Sequence, residues 1–180
     1  LVIGAIDPRV TCVVSQVPTI SGYASYQRRI SPDSIQRMND MLIADRERVF
    51  AGAAPEARNV IPNEDRQPGV YTSPAAVTFL SKPESRPETW DNMVTIRSME
   101  RARDYEPAIY IERISPKPLL MVVADQDTVT LTDLALQAYN NALEPKRLVL
   151  ISGEHWTSYV DQFEKASTVA REWFVEHLMT

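Results

Sequence analysis

Three short apolar runs stand out along the chain: VTCVVSQV over residues 10–17, PLLMVVA over 118–124 and KRLVLI over 146–151. The first two hold apolar residues on successive positions rather than on alternate ones. Such a run, bounded by turn residues, predicts a strand buried on both faces. Asp7-Pro8-Arg9 and Pro18 bound the first run. After the second and third runs the apolar period becomes helical. Residues 131–143 carry Leu134, Ala135, Ala138 and Ala142. Residues 159–178 carry Phe163, Ala166, Val169, Ala170, Trp173, Phe174 and Leu178. Spacings of three and four place these on one helical stripe. The order strand, helical insert, strand, helix, strand, helix predicts an α/β protein with a parallel sheet and flanking helices.

Residues 21–105 have another character. Ser31-Pro32-Asp33 is a helix start, with a capping serine, proline at the first helical position and an acid at the positive dipole end. That helix is expected to reach Phe50, with Gly52 ending it. Ser73-Pro74 starts a second helix, and residues 90–105, with Met93, Ile96 and Met99, predict a third. Proline-bearing stretches 59–71 and 82–87 read as loops. The expected organisation is a core of 1–20 with 106–180 and a helical cap inserted over 21–105. LVIGAI at the start reads as the end of an apolar helix, with no cap before it. The chain starts with Leu1 and its first methionine is Met38, so it is expected to be a piece of something longer.

In an open parallel sheet, ligands sit beyond the carboxyl ends of the strands. Two groups lie there. Asp125-Gln126-Asp127-Thr128 follows the second run, and Ser152-Gly153-Glu154-His155 follows the third. One helix and one strand separate Asp127 from His155, so neighbouring strands can bring them together. A carboxylate at Nδ1 of histidine fixes the tautomer and stabilises imidazolium, freeing Nε2 to act as a base. Gly153 permits a sharp turn before His155. The structural alternative is that the acids merely end a strand, with Thr130 or Thr132 capping the next helix. His177, near the end of the last helix, suits the dipole there. Tyr23, Tyr26, Trp90, Tyr105 and Trp156 are candidates to line an apolar pocket or to pack the cap. Trp156, beside His155, is the candidate for substrate contact.

Charge and composition narrow the classes. A net charge of −5 disfavours nucleic acid and anionic membranes as partners. No apolar run approaches the ~20 residues of a membrane span. A single cysteine, Cys12, excludes an internal disulfide and fits a reducing, cytoplasmic compartment. Its place in an apolar run favours packing over chemistry. The two histidines share no face and form no metal-ligand set. No glycine-rich phosphate loop is present. No cofactor is expected.

The segments GAIDPRVTCVVSQVPTISGY, YEPAIYIERISPKPLLMVVADQDTVTLTDLALQAYNNALEPKRLVLI and GEHWTSY resemble the C-terminal portion of the α/β-hydrolase superfamily. The likeness is to the polyketide-transferase-like and dienelactone-hydrolase-related branch, and it covers nearly the whole chain. It implies that Asp127 is the acid and His155 the base of a Ser-His-Asp triad. Many relatives carry Gly-Gly-His-Phe where this chain has Gly153-Glu154-His155-Trp156. The family nucleophile lies on a Gly-x-Ser-x-Gly elbow. None of the five glycines here brackets a serine at that spacing, so the nucleophile is expected upstream of Leu1. The resemblance implies hydrolysis or transfer of ester or thioester acyl groups, with a small-molecule or carrier-bound acyl substrate from secondary metabolism. The alternative is a truncated non-catalytic remnant, or one piece of a split protein whose partner is the missing N-terminal half. The isolated 180 residues, with an apolar strand edge unpaired, are expected to be poorly soluble or partner-dependent.

Overall fold

A computed structural model describes residues 1–65 and 67–179; Arg66, in the loop expected over 59–71, lies outside the described residues. The elements run α1 (Val2–Ile6), β1 (Val13–Gln16), α2 (Gly22–Arg29), α3 (Pro32–Phe50), β2 (Ala57–Asn59), α4 (Pro74–Ser81), β3 (Met93–Thr95), α5 (Ile96–Arg103), β4 (Leu119–Ala124), α6 (Thr132–Asn141), β5 (Lys146–Ile151) and α7 (Phe163–Leu178). Short 3₁₀ segments cover Pro83–Ser85, Pro107–Ile114 and His155–Tyr159. The chain divides into two compact units, Leu1–Ser25 with Tyr105–Thr180, and Tyr26–Asp104.

The first unit holds a three-stranded sheet in the order β1-β4-β5. Both pairings are parallel, with Val13 opposite Leu119 and Ala124 opposite Ile151. All six residues of β4 are buried, because a central strand of a parallel sheet is covered on both faces. Leu119, Met121 and Val123 pack with Ile111, Ile114, Leu134, Ala135 and Ala138. Leu120 and Val122 point the other way, to Ile151, Ala166 and Trp173. One β4 therefore anchors α6 on one side and α7 on the other. Truncating Leu120 to alanine removes contacts on the α7 side, at a cost of ~2–5 kcal/mol.

β1 is shorter than its apolar run. Its ladder begins at Val13, whose N–H donates to the Pro118 carbonyl. Residues 10–12 have no β4 residue to pair with, since β4 starts at Leu119. Burial along β1 alternates, with Val13 and Ser15 inside and Val14 and Gln16 half-buried. Cys12 is half-buried and precedes the strand instead of lying within it. α7 starts at Phe163, four residues later than the sequence period suggested, because residues 155–159 form their own 3₁₀ turn.

The second unit is helical with one small sheet. α3 begins at Pro32, directly after Ser31, but the Ser31 hydroxyl caps no backbone N–H and meets Ser34 Oγ instead. Ser73 Oγ accepts the Ala76 N–H at the start of α4. The expected helix over 90–105 is instead a strand followed by a helix. Met93–Thr95 pairs antiparallel with Ala57–Asn59, and Thr95 Oγ1 then accepts the Ser98 N–H as the cap of α5. A threonine in the β region with its hydroxyl on the third N–H starts a helix there rather than continuing one. The short helix α2 was not marked by its own residues.

Candidate active site

The acid and base loops leave adjacent strands. β4 ends at Ala124 and β5 at Ile151, and these two residues are paired. The loops beyond them meet. His155 Nδ1 lies 2.8 Å from Asp127 Oδ2. Both residues are buried, Asp127 at 6% exposure and His155 at 9%. Gly153 adopts φ +121°, the left-handed region that only glycine enters at little cost. A Cβ there would also fall 2.7 Å from Thr157 Oγ1. The sharp turn before His155 thus needs this residue on two counts.

The Asp127 carboxylate is held on every side. Oδ1 accepts the N–H groups of Val129 at 2.7 Å and Thr130 at 2.8 Å. Oδ2 accepts the Thr130 hydroxyl at 2.8 Å besides facing His155. Burial pushes the carboxyl up; the bonds from His155 and Thr130, with the attraction of His155, outweigh it and hold the group below its usual range. Asp127 therefore stands as a carboxylate at neutral pH, and His155 Nδ1 carries the proton in their bond. The loop is tied to its own strand by Thr132, whose hydroxyl donates to the Ala124 carbonyl and accepts the Asp127 N–H. Neither Thr130 nor Thr132 caps α6, since the cap residue, Leu131, offers no side-chain bond.

Around the imidazole stand two aromatic rings of the same turn. Trp156 meets it edge-on at 4.8 Å between centroids, and Tyr159 lies tilted at 5.9 Å. The Tyr159 hydroxyl bonds the side chain of Gln16, the last residue of β1; burial, then the Asp127 charge, raises its phenol above the ordinary range. Ser158 Oγ donates to the His155 carbonyl at 3.0 Å, fixing the turn from within. Just past Gln16, Val17 takes φ 34°, which is strained for a β-branched residue. Its carbonyl is 3.3 Å from Thr130 Oγ1. All three strand tips therefore contribute to one constellation.

Other expected groups fall elsewhere. The Asp125 carboxylate faces the Gly153 N–H rather than His155. Burial pushes the Cys12 thiol up, away from the thiolate a nucleophile needs. His177 packs edge-on against Trp173 at 4.2 Å. Among the described residues no group of three or more histidine, cysteine or carboxylate side chains is arranged to hold a metal. No described helix is long and apolar enough to cross a membrane. The sequence reading placed Thr130 or Thr132 as a helix cap instead of at Asp127, and it missed Tyr159 and Gln16. The threonines at the third and fifth positions after Asp127 were a usable signal; the Gln16–Tyr159 bond left none.

A parallel sheet with two flanking helix layers and convergent strand-tip loops defines the α/β-hydrolase fold, and solved structures bear this out. The chain is similar to the α/β hydrolase GrgF from Penicillium sp. sh18, with a TM-score of 0.74 at 20% identity, over 98% of this chain and 59% of that one. It is similar to DcsB, solved with its substrate analogue, with a TM-score of 0.75 at 18% identity, over 98% and 59%. It also matches the hypothetical protein PA2218 from Pseudomonas aeruginosa, with a TM-score of 0.73 at 20% identity, over 97% and 56%. The chain thus spans under three fifths of the length of these neighbours and accords with the C-terminal portion of the fold. No family profile matches the chain, and no curated protein matches it by sequence.

Proposed function

We propose that these residues supply the base and acid of a serine acyl-transfer enzyme. The observation that carries this reading is the buried 2.8 Å contact between His155 Nδ1 and Asp127 Oδ2 at the sheet's carboxyl edge. In the proposed mechanism the nucleophilic serine belongs to a segment preceding these residues. His155 Nε2 takes the serine proton as the oxygen attacks the acyl carbonyl. The imidazolium then returns that proton to the leaving alkoxide or thiolate, leaving an acyl-enzyme. Water or an acceptor attacks the acyl group next; His155 takes its proton and returns it to the serine oxygen as the acyl–serine bond breaks. Asp127 stays ionised and stabilises imidazolium in both steps. Trp156 is proposed to wall the acyl site. Ester or thioester substrates, including polyketide thioesters, follow from the sequence resemblance, which also supports reading the unit inserted between β1 and β4 as a cap.

The test is an assay of the native full-length protein with p-nitrophenyl esters and N-acetylcysteamine thioesters, together with fluorophosphonate labelling. The reading requires turnover, a covalent adduct on a serine, and loss of both in His155→Ala. A second reading is a non-catalytic protein that keeps the fold and the pair without turnover. An unlabelled native protein with no turnover would favour it.

A further inference from the structure

Beyond the acid–base pair, Asp125 is an exposed carboxylate with a partner in a different loop. Its Oδ1 accepts the Gly153 N–H at 2.8 Å. The neighbouring Gln126 N–H donates to the Gly153 carbonyl at 3.0 Å. Gly153 is therefore gripped at both ends of its residue by two consecutive residues of the acid loop. Two positions further along each loop, Asp127 meets His155. Asp125–Gly153 and Asp127–His155 share one separation of 28 residues. Inside the sheet, where Ala124 pairs with Ile151, the separation is one residue shorter. In a parallel ladder the donating N–H lies one residue beyond the Cα partner, so Asp125 Oδ1 takes the Gly153 N–H in the place its own carbonyl would fill, and the spacing of 28 continues the strand register into the loops. The left-handed turn at Gly153 follows directly on this bond.

We infer that Asp125 is a positioning residue, which holds the Gly153 turn against the acid loop so that His155 arrives opposite Asp127. This rests on the acyl-transfer reading for its effect on turnover, but not for its effect on the loop. Without the clamp the Gly153 N–H loses this acceptor, and the turn that carries His155 is held less firmly against the acid loop. Misplacement of a catalytic group by about an ångström is enough to slow a reaction up to a hundredfold. The chemistry asked of Asp125 is acceptance of a hydrogen bond, not charge, and an asparagine oxygen can do the same.

Asp125→Ala and Asp125→Asn in the native full-length protein test this. The readouts are kcat and KM on an N-acetylcysteamine thioester and residue-resolved hydrogen exchange of the Gly153 amide. The expected result for Asp125→Ala is a fall of about tenfold in kcat with KM unchanged, and faster Gly153 exchange. Asp125→Asn is expected to restore both, whereas Asp127→Asn does not restore turnover. An unchanged Gly153 exchange rate in Asp125→Ala would overturn the inference, as would an asparagine variant as slow as the alanine one. A wild type inactive on every acyl substrate, yet showing the exchange difference, would sink the acyl-transfer reading and leave the clamp standing.

Discussion

Each compact unit buries one carboxylate that is tied to a cation or a potential cation, and the two are built for different ends. In the first unit Asp127 meets His155. In the second, Glu100, 3% exposed, takes Arg97 Nη1 at 2.9 Å on one oxygen and the Arg46 guanidinium on the other. Both carboxylates lose water on folding, so both need compensating donors. Arginine stays charged at any working pH, which makes the Glu100 cluster a fixed tie between α3 and α5. The imidazole of His155 has a second nitrogen, Nε2, beside the one that faces Asp127, and proton transfer at that atom is the role proposed for it. The supporting donors differ accordingly. Asp127 is held by two backbone N–H groups and a hydroxyl, which orient it without competing as cations. The Glu100 tie has a cation on each oxygen, whereas Asp127 faces the imidazole with Oδ2 and takes neutral donors besides.

The sharpest way to break the comparison is to make both carboxylates neutral. Asp127→Asn should cut kcat by about 10⁴-fold, because an amide cannot stabilise imidazolium and favours the wrong tautomer. The fold should survive, and steady-state kinetics with a thermal melt would show both. Glu100→Gln should leave kcat unaltered and lower stability. The loss should be only about 1–3 kcal/mol, since the Arg46 and Arg97 side chains are half-exposed and regain water when their partner is neutralised. A Glu100 variant that abolished turnover while folding normally would show that the second unit's tie also serves the site.

The two halves of this contrast were not equally readable from the sequence. Asp127 and His155 were visible because buried runs announce strands, and the residues just past strands are where a parallel sheet puts its chemistry. β5 matched its apolar run to the residue, and β4 matched all of its own but Pro118, for that reason. α3 and α4 were visible because Ser-Pro pairs mark helix starts. β2 and β3 were not, because three-residue strands carry no period, and the apolar Met93 and Ile96 suited a helix equally well. The donors around Asp127 were partly visible, as hydroxyls close by in sequence. The Gln16–Tyr159 bond and the Arg46–Glu100 pair were invisible, since each joins distant elements and neither changes the local hydrophobic pattern.

The smallest expected effect separates the support of Asp127 from its ionisation. Thr130→Val keeps the side-chain shape and the backbone N–H but removes the hydroxyl on Oδ2. Burial then opposes the carboxylate with one donor fewer, so the Asp127 carboxyl should rise toward its ordinary value. The sign follows from linkage. A carboxyl depressed in the folded state contributes stability that is complete above its unfolded value of about 3.9. That contribution is lost as pH falls through the lower folded value. The valine variant narrows this window, so its acid unfolding midpoint should lie at higher pH than that of the wild type. Its neutral-pH stability should fall by about 0.5–1.5 kcal/mol, the worth of one hydrogen bond. Thr130→Ser keeps the hydroxyl and should follow the wild type in acid. Both variants lose nothing at the Glu100 cluster, so urea titrations at pH 7 and in acid isolate the Asp127 side of the contrast. Identical acid midpoints for valine and wild type would mean that the backbone N–H groups and His155 alone keep Asp127 ionised.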